Sequence, residues 1–294
     1  MSLSPIGIWT AALDLVSAHR AQEIVSELDE QGWGALWIPE ILGRDALIFA
    51  GVLLAGSPTI TVATGIANVW GRDPMAMRAG QLTLAETYPD RFILGLGVSH
   101  EPLIKGVRNH DYRRPLDHMR EYLDAMDAAP FMAPTPATPP PRVLAALGPR
   151  MLDLAAERAD GVHTYLVTPD HTAIARAAVG SDAIVAVEQK VVLATDPTQA
   201  RDLARTTLAM YLELPNYANS LHRLGFADTD LASGGSDRLV DALVAWGDIE
   251  AVAGRIQGHL DAGATHVCIQ VLGDAQAEPP TPQWAELAHR LTTK

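Results

Sequence analysis

A single cysteine, Cys268, among 294 residues leaves no intrachain disulfide to form, and such a chain reads as one for a reducing compartment. Lysine is almost as scarce, with three (Lys105, Lys190, Lys294) against nineteen arginines in a chain of net charge −13. That balance repels nucleic-acid phosphates, and no basic stripe offsets it. No nucleic-acid partner is expected, and an anionic ligand would have to be held locally, by a few arginines or by helix N-termini. No run approaches the ~18 apolar residues of a membrane span; the longest, Ala46 to Gly56, is too short. The opening "MSLSPIGIWT" has no basic region ahead of an apolar block, so no secretory leader is expected. These absences point to a soluble, cytoplasmic protein with no membrane partner.

Motif absences narrow the chemistry. The histidines from His110 to His289 are scattered, with no HExxH or comparable carboxylate spacing, and no metal is expected. No Gly-x-Ser-x-Gly elbow is present, which disfavours that type of hydrolase. "GLGVSH" (95–100) lacks the third glycine and the following acidic residue of a dinucleotide fingerprint, and no P-loop occurs.

What is present is a cadence. Strand-like runs at 5–9, 35–40, 59–67, 91–99, 143–147, 161–167, 183–195 and 265–271 alternate with helical stretches such as 13–34, 45–56, 73–89, 115–129, 148–160, 169–179, 197–214, 248–264 and 282–291. Leu15, Ala18, Ala21, Ile24, Val25 and Leu28 repeat at helical spacing. Asp73-Pro74 supplies an N-cap and a first-turn proline. The strands are continuous apolar runs, as parallel strands covered on both faces must be. Eight such units favour an α/β fold of the closed (β/α)₈ TIM-barrel type, with an open Rossmann-type sheet as the alternative. The whole chain, 1–294, reads as one domain with a long proline-rich loop region at 105–142 and a helical insertion at 215–247 that breaks the cadence.

In a barrel the site lies at the C-terminal ends of the strands. Those ends carry Glu40; Gly65, Ile66 and Asn68; Gly97, Val98, Ser99 and His100; Gly148, Pro149 and Arg150; and His163 with Thr164. Gly65 allows close approach of a flat ligand and Asn68 offers a donor and an acceptor; equally, Gly65 marks a bulge and Asn68 caps a turn. His100 or Glu101 is a candidate acid or base, or else a loop residue. "LGPRM" opens a helix with free N–H groups and a cation on its first turn, which an incoming phosphate would reconcile. Cys268, central in an apolar strand, reads as packing.

"GWGALWIPE", "TGIANVWGRDPMAMRAGQLTLAETYPDRFILGLGVS" and "LAALGPRMLDLAAERADGVHTYLVTP" together resemble the bacterial luciferase-like superfamily, in its branch using the deazaflavin coenzyme F420. The likeness runs in order over about residues 5–200. It implies a luciferase-like TIM barrel with insertion segments, with a deazaflavin ring in the mouth and its phosphate near the start of the fifth helix. It also implies a non-prolyl cis peptide at Gly65–Ile66, backing the ring. By position, Glu40 matches an acidic residue that approaches the ring, Gly65, Ile66 and Asn68 the backing strand, and Gly97, Val98 and Ser99 the next strand end. Leu147, Gly148, Pro149, Arg150 and Met151 match the phosphate loop. Ile41 stands where sugar-phosphate-oxidising members have histidine, and their substrate-phosphate lysines have no counterpart. Proton handling is therefore assigned to His100 or Glu101, with Glu40 the third candidate. The resemblance implies a coenzyme F420-dependent oxidoreductase acting on a small-molecule substrate, with homodimers as the expected assembly. The alternatives are an FMN-dependent luciferase-like monooxygenase and a non-catalytic cofactor-binding relative.

Overall fold

A computed structural model describes residues 3–273 and 278–292; the outermost residues of the expected 1–294 unit lie outside them. Among the described residues, ten parallel strands form one sheet. In chain order they are β1 (Ile6–Trp9), β2 (Ala35–Ile38), β3 (Thr61–Thr64), β4 (Ala67–Asn68), β5 (Phe92–Gly97), β6 (Arg142–Ala145), β7 (Gly161–Thr164), β8 (Ile184–Val192), β9 (Val244–Trp246) and β10 (His266–Val271). The neighbour order β10-β1-β2-β3-β5-β6-β7-β8 is closed by pairing of β8 with β10, so eight strands make the barrel. The expected (β/α)₈ TIM barrel is the fold, and the open-sheet alternative falls.

The covering helices follow the periodic stretches closely. They are α1 (Ala18–Glu30), α2 (Ala46–Leu54), α3 (Pro74–Thr87), α4 (Pro115–Ala128), α5 (Pro149–Arg158), α6 (Pro169–Val179), α7 (Pro197–Leu212), α8 (Pro215–Arg223), α9 (Asp228–Leu231), α10 (Asp237–Leu243), α11 (Ile249–Asp261) and α12 (Thr281–Leu291). Asp73 caps α3 by accepting from the Ala76 amide, with Pro74 in the first turn. The stretch 13–34 divides into a short 3₁₀ turn at Ala12–Leu15 and α1, because Ser17 accepts from the Arg20 amide and restarts the helix. The loop region contains a π-helical turn, Pro102–Val107, ahead of α4.

β9 was not visible as a strand within 215–247, because three residues carry no period. Its cause is tertiary. β7 ends opposite Val187, leaving the last residues of β8 with an open edge, and Lys190–Val192 take Val244–Trp246 as partners there. The insertion is thereby stitched to the overhanging end of the seventh barrel strand.

Side chains on alternate residues divide between two cores. Outward residues such as Leu36, Val62, Leu144, Val162 and Val187 pack under the helices. Inward ones fill the barrel with Trp9, Trp37, Ala63, Ile93, Val143, Ala186 and Cys268, placing Cys268 in the packing role expected of it.

β3 is interrupted by a bulge. Ala63 pairs with Ile93 but Ala67 with Leu96, so one extra residue is inserted between them. The Thr64 hydroxyl stands in for the broken ladder: it donates to the Gly95 carbonyl at 2.7 Å and accepts from the Gly95 amide at 2.8 Å. A Cβ on Gly95 would lie 1.9 Å from the Thr64 carbonyl oxygen. Gly95→Ala should therefore destabilise the fold by several kcal/mol or prevent folding. Gly106→Ala, where a Cβ meets nothing within 4 Å, should change the urea midpoint negligibly.

Candidate functional site

The bulge delivers its exit onto a charged brace. Glu40, just beyond β2, uses its amide to reach the Ile66 carbonyl at 3.1 Å and its carboxylate to accept from the Asn68 amide at 2.7 Å. Both terminal nitrogens of Arg72 grip the same carboxylate, and one also reaches Asp45 at 2.7 Å. Asn68 Oδ1 accepts from the Trp70 amide at 3.0 Å, which caps the turn. Its Nδ2 is buried with no hydrogen-bond partner among the described residues. No cis peptide occurs among the described residues, so the cis bond implied at Gly65–Ile66 is corrected: the extra residue and the Thr64 substitution accomplish the bulge with trans bonds.

The Gly65 face expected to admit a flat ligand, and that of Gly97, are covered by the chain's own side chains. A Cβ on Gly65 would meet Trp9 Nε1 at 2.6 Å and His163 Nε2 at 3.3 Å. A Cβ on Gly97 would meet the Ile66 side chain at 2.5 Å. Ile66 therefore folds over Gly97 and presents its own apolar surface. Val98 holds the neighbouring wall through its carbonyl, which accepts from Trp70 Nε1 at 3.0 Å. Ser99 takes a left-handed backbone (φ 56°), and Tyr112 donates to its carbonyl.

His100 and Glu101 part company. Burial lowers the pKa of His100, against a hydrogen bond to Asn216, and its ring lies 5.4 Å from that of Tyr217. Glu101 is exposed and paired with Lys105 one turn along. His163 lies deeper, stacked on Trp37 with centroids 4.5 Å apart.

The α5 N-terminus forms a second zone. Gly148 is the N-cap, Pro149 has no N–H to waste, and the space beside Gly148 is bordered by Arg223 Nη2, 3.6 Å from where a Cβ would be. The Leu147 carbonyl is fixed by His171 Nε2–H at 2.9 Å and by Arg223 at 3.4 Å. Arg150 is exposed and forms no ion pair among the described residues. Met151 closes the first turn, its amide bonding to the Gly148 carbonyl. Arg223 was missed by sequence reading: it lies on α8, far along the chain, and only the packing of the insertion brings it here.

The opposite wall was missed too. Glu188 and Lys190 both point into the barrel with wholly buried side chains, Nζ lying 3.1 Å from each carboxylate oxygen. Leu166, held at φ 59°, aims its amide at the same carboxylate. The Lys190 ammonium sits 3.7 Å above the Tyr165 ring and 5.3 Å from that of Tyr211. Burial raises the pKa of Glu188 and lowers that of Lys190, while each opposes the other's shift. The only available signal was two charges at alternate positions of an apolar strand.

With the geometry in hand, the chain can be placed. It is a parallel barrel whose C-terminal rim sets small residues and the α5 N-terminus against an aromatic wall. It belongs to the luciferase-like monooxygenase family, whose model matches residues 2–266. A Mycobacterium tuberculosis protein described as a putative coenzyme F420-dependent oxidoreductase is 28% identical over 53% of this chain and 52% of its own length, so the match spans about half of that relative. An F420-dependent secondary alcohol dehydrogenase, solved with an F420-acetone adduct, superposes with TM-score 0.75 at 15% identity, covering 98% of this chain and 97% of its own. The FMN-bound oxygenating constituent of 3,6-diketocamphane monooxygenase from Pseudomonas putida does so with TM-score 0.71 at 15% identity, covering 98% and 96%.

Two outcomes follow from this arrangement. Glu40→Ala removes the principal partner of a largely buried guanidinium and should cost about 2–4 kcal/mol of stability, read from the urea midpoint. Burial holds His163 at a pKa of about 3, His259 about 3 and His266 about 4. Unfolded imidazoles take up protons below about 6.5, so the stability these three contribute is complete above that pH and is lost as pH falls toward 4. The slope is on the order of 1.4 kcal/mol per group per pH unit; denaturation at pH 7 and pH 5 measures it.

Proposed function

We propose that this chain is an oxidoreductase that binds coenzyme F420 and moves a hydride between that deazaflavin and a small organic substrate. The observation that carries the reading is the α5 N-terminus, which presents the Gly148 and Arg150 amides, carries the exposed Arg150 in its first turn and is bordered at Gly148 by Arg223. In a chain of net charge −13, two arginines at a helix start are a local exception suited to a phosphate. The buried, unpartnered Asn68 Nδ2 fits a ring carbonyl as a second point of attachment, and Ile66 folded over Gly97 supplies an apolar backing.

The deazaflavin, when bound, supplies the hydride chemistry, and the protein supplies orientation and electrostatics. Glu40 does not have a free carboxylate for proton transfer, since Arg72 and the Asn68 amide occupy it; its part is to hold the bulge. Glu101 is turned to Lys105 in solvent. His100, neutral at pH 7 because burial lowers its pKa, is the candidate of the three best suited to accept a proton. The aligned mycobacterial relative supports F420 as the coenzyme. FMN is the second reading, because the same helix start would serve its phosphate and the family fold carries FMN in the Pseudomonas protein.

Titrating the protein with F420 and with FMN, followed by cofactor absorbance and fluorescence, tests the assignment; binding of FMN alone would overturn it. Arg150→Ala and Arg223→Ala should each weaken coenzyme binding about tenfold, more at low salt than at high, while leaving the urea midpoint nearly unchanged. Unaltered affinity in both variants would remove the phosphate from this helix.

A further inference from the structure

The aromatic wall contains a phenol that bonds to no other group among the described residues. The Tyr165 oxygen lies 2.9 Å from Gln270 Oε1 and 3.0 Å from the Tyr211 hydroxyl. Its one proton therefore goes to the amide oxygen, and Tyr211 provides the proton for the other contact. Tyr217, on α8, is only 6% exposed. Its ring meets that of Tyr211 edge-on at 5.4 Å and lies 6.1 Å from that of Tyr165 and 5.4 Å from His100. Its hydroxyl has no hydrogen-bond partner among the described residues. Burial first, then Tyr211 and the inward-facing Glu188, push its pKa up, so it stays a donor at any working pH. The Tyr217 oxygen is not among the fully buried polar atoms left without a partner, so it keeps a point of access, and a ligand oxygen that reached it would accept its proton.

The charges on this wall cancel. Glu188 neutralises Lys190, whose ammonium is in addition covered by the Tyr165 face. His100 is uncharged at pH 7. Arg150 and Arg223, which form no ion pair among the described residues, stand at the α5 N-terminus instead. A carboxylate or phosphate brought against the tyrosines would lose its water without gaining a counter-charge. An uncharged aromatic molecule would gain ring contacts and, through an acceptor oxygen, the Tyr217 proton.

We propose that Tyr217 is a specificity-determining residue that donates a hydrogen bond to the oxygen of an uncharged aromatic substrate, and that the tyrosine wall excludes anions. This names the substrate class for the redox reading above and rests on it for the mouth being the reacting site; the Tyr217 contact itself needs no coenzyme.

Ligand-observed NMR titration of the protein at pH 7.5 with acetophenone, benzoate and toluene provides the test. Acetophenone should bind at least tenfold more tightly than benzoate. Tyr217→Phe should weaken acetophenone about tenfold and leave toluene unchanged, which separates loss of the hydroxyl from loss of packing. Benzoate binding as tightly as acetophenone, acetophenone affinity unaltered in Tyr217→Phe, or no acetophenone binding by the unsubstituted protein would each overturn the proposal. Titrating Tyr217→Phe with F420 keeps the two readings apart: coenzyme affinity should be unchanged. An unsubstituted protein that discriminates among the three probes as expected, yet binds neither F420 nor FMN, would overturn the redox reading alone.

Discussion

The mouth of this barrel depends on one inserted residue in its third strand and on the groups that tolerate it. An extra residue in a parallel ladder leaves backbone donors and acceptors without partners. Here the Thr64 hydroxyl takes up both Gly95 groups, and Gly95 must lack a side chain for Thr64 to come so near. Beyond the bulge the chain is caught by Glu40, itself locked by Arg72. Remove any of these and Ile66, Asn68 and Trp70 lose the positions from which they line the rim.

That constraint makes the mouth lopsided. On one side stand Gly65, Gly97 and Ile66; on the other stand Tyr165, Tyr211 and Tyr217, together with Trp9, which packs 5.1 Å from Tyr165 and spans the interior to Gly65. Charge is lopsided too. The buried Glu188–Lys190 pair is internally balanced, and Arg223, which makes no ion pair among the described residues, stands at the α5 N-terminus. Helix α8 joins the two zones, since it carries Tyr217 into the aromatic wall and Arg223 to the Leu147 carbonyl.

Most of the barrel was legible because a strand or helix is recognised from neighbours in sequence. Asp73-Pro74 and Gly148-Pro149 marked helix starts that the structure retains, and the apolar runs at 35–38 and 161–164 are strands with all four residues buried. The bulge at Gly65 was also legible, as one of two readings of a glycine followed by a polar turn. Glu40 was singled out for its place at a strand end, but its engagement with Arg72 was not visible, because that pairing depends on how two loops approach. Trp9 and Lys190 passed unremarked as strand residues, and Glu188 with them.

The sequence by itself determined the alternation of strands and helices and the helix starts at Asp73-Pro74 and Gly148-Pro149, because each rests on side-chain period, propensity and capping within a few residues. Only the tertiary structure decided that β9 exists, that Trp9 and Ile66 fill the faces of Gly65 and Gly97, and that Arg223 and Tyr217 reach the mouth from the insertion. The physical reason is distance along the chain. Those contacts arise when barrel closure leaves an unpaired β8 edge and unfilled space, and the insertion satisfies both at once.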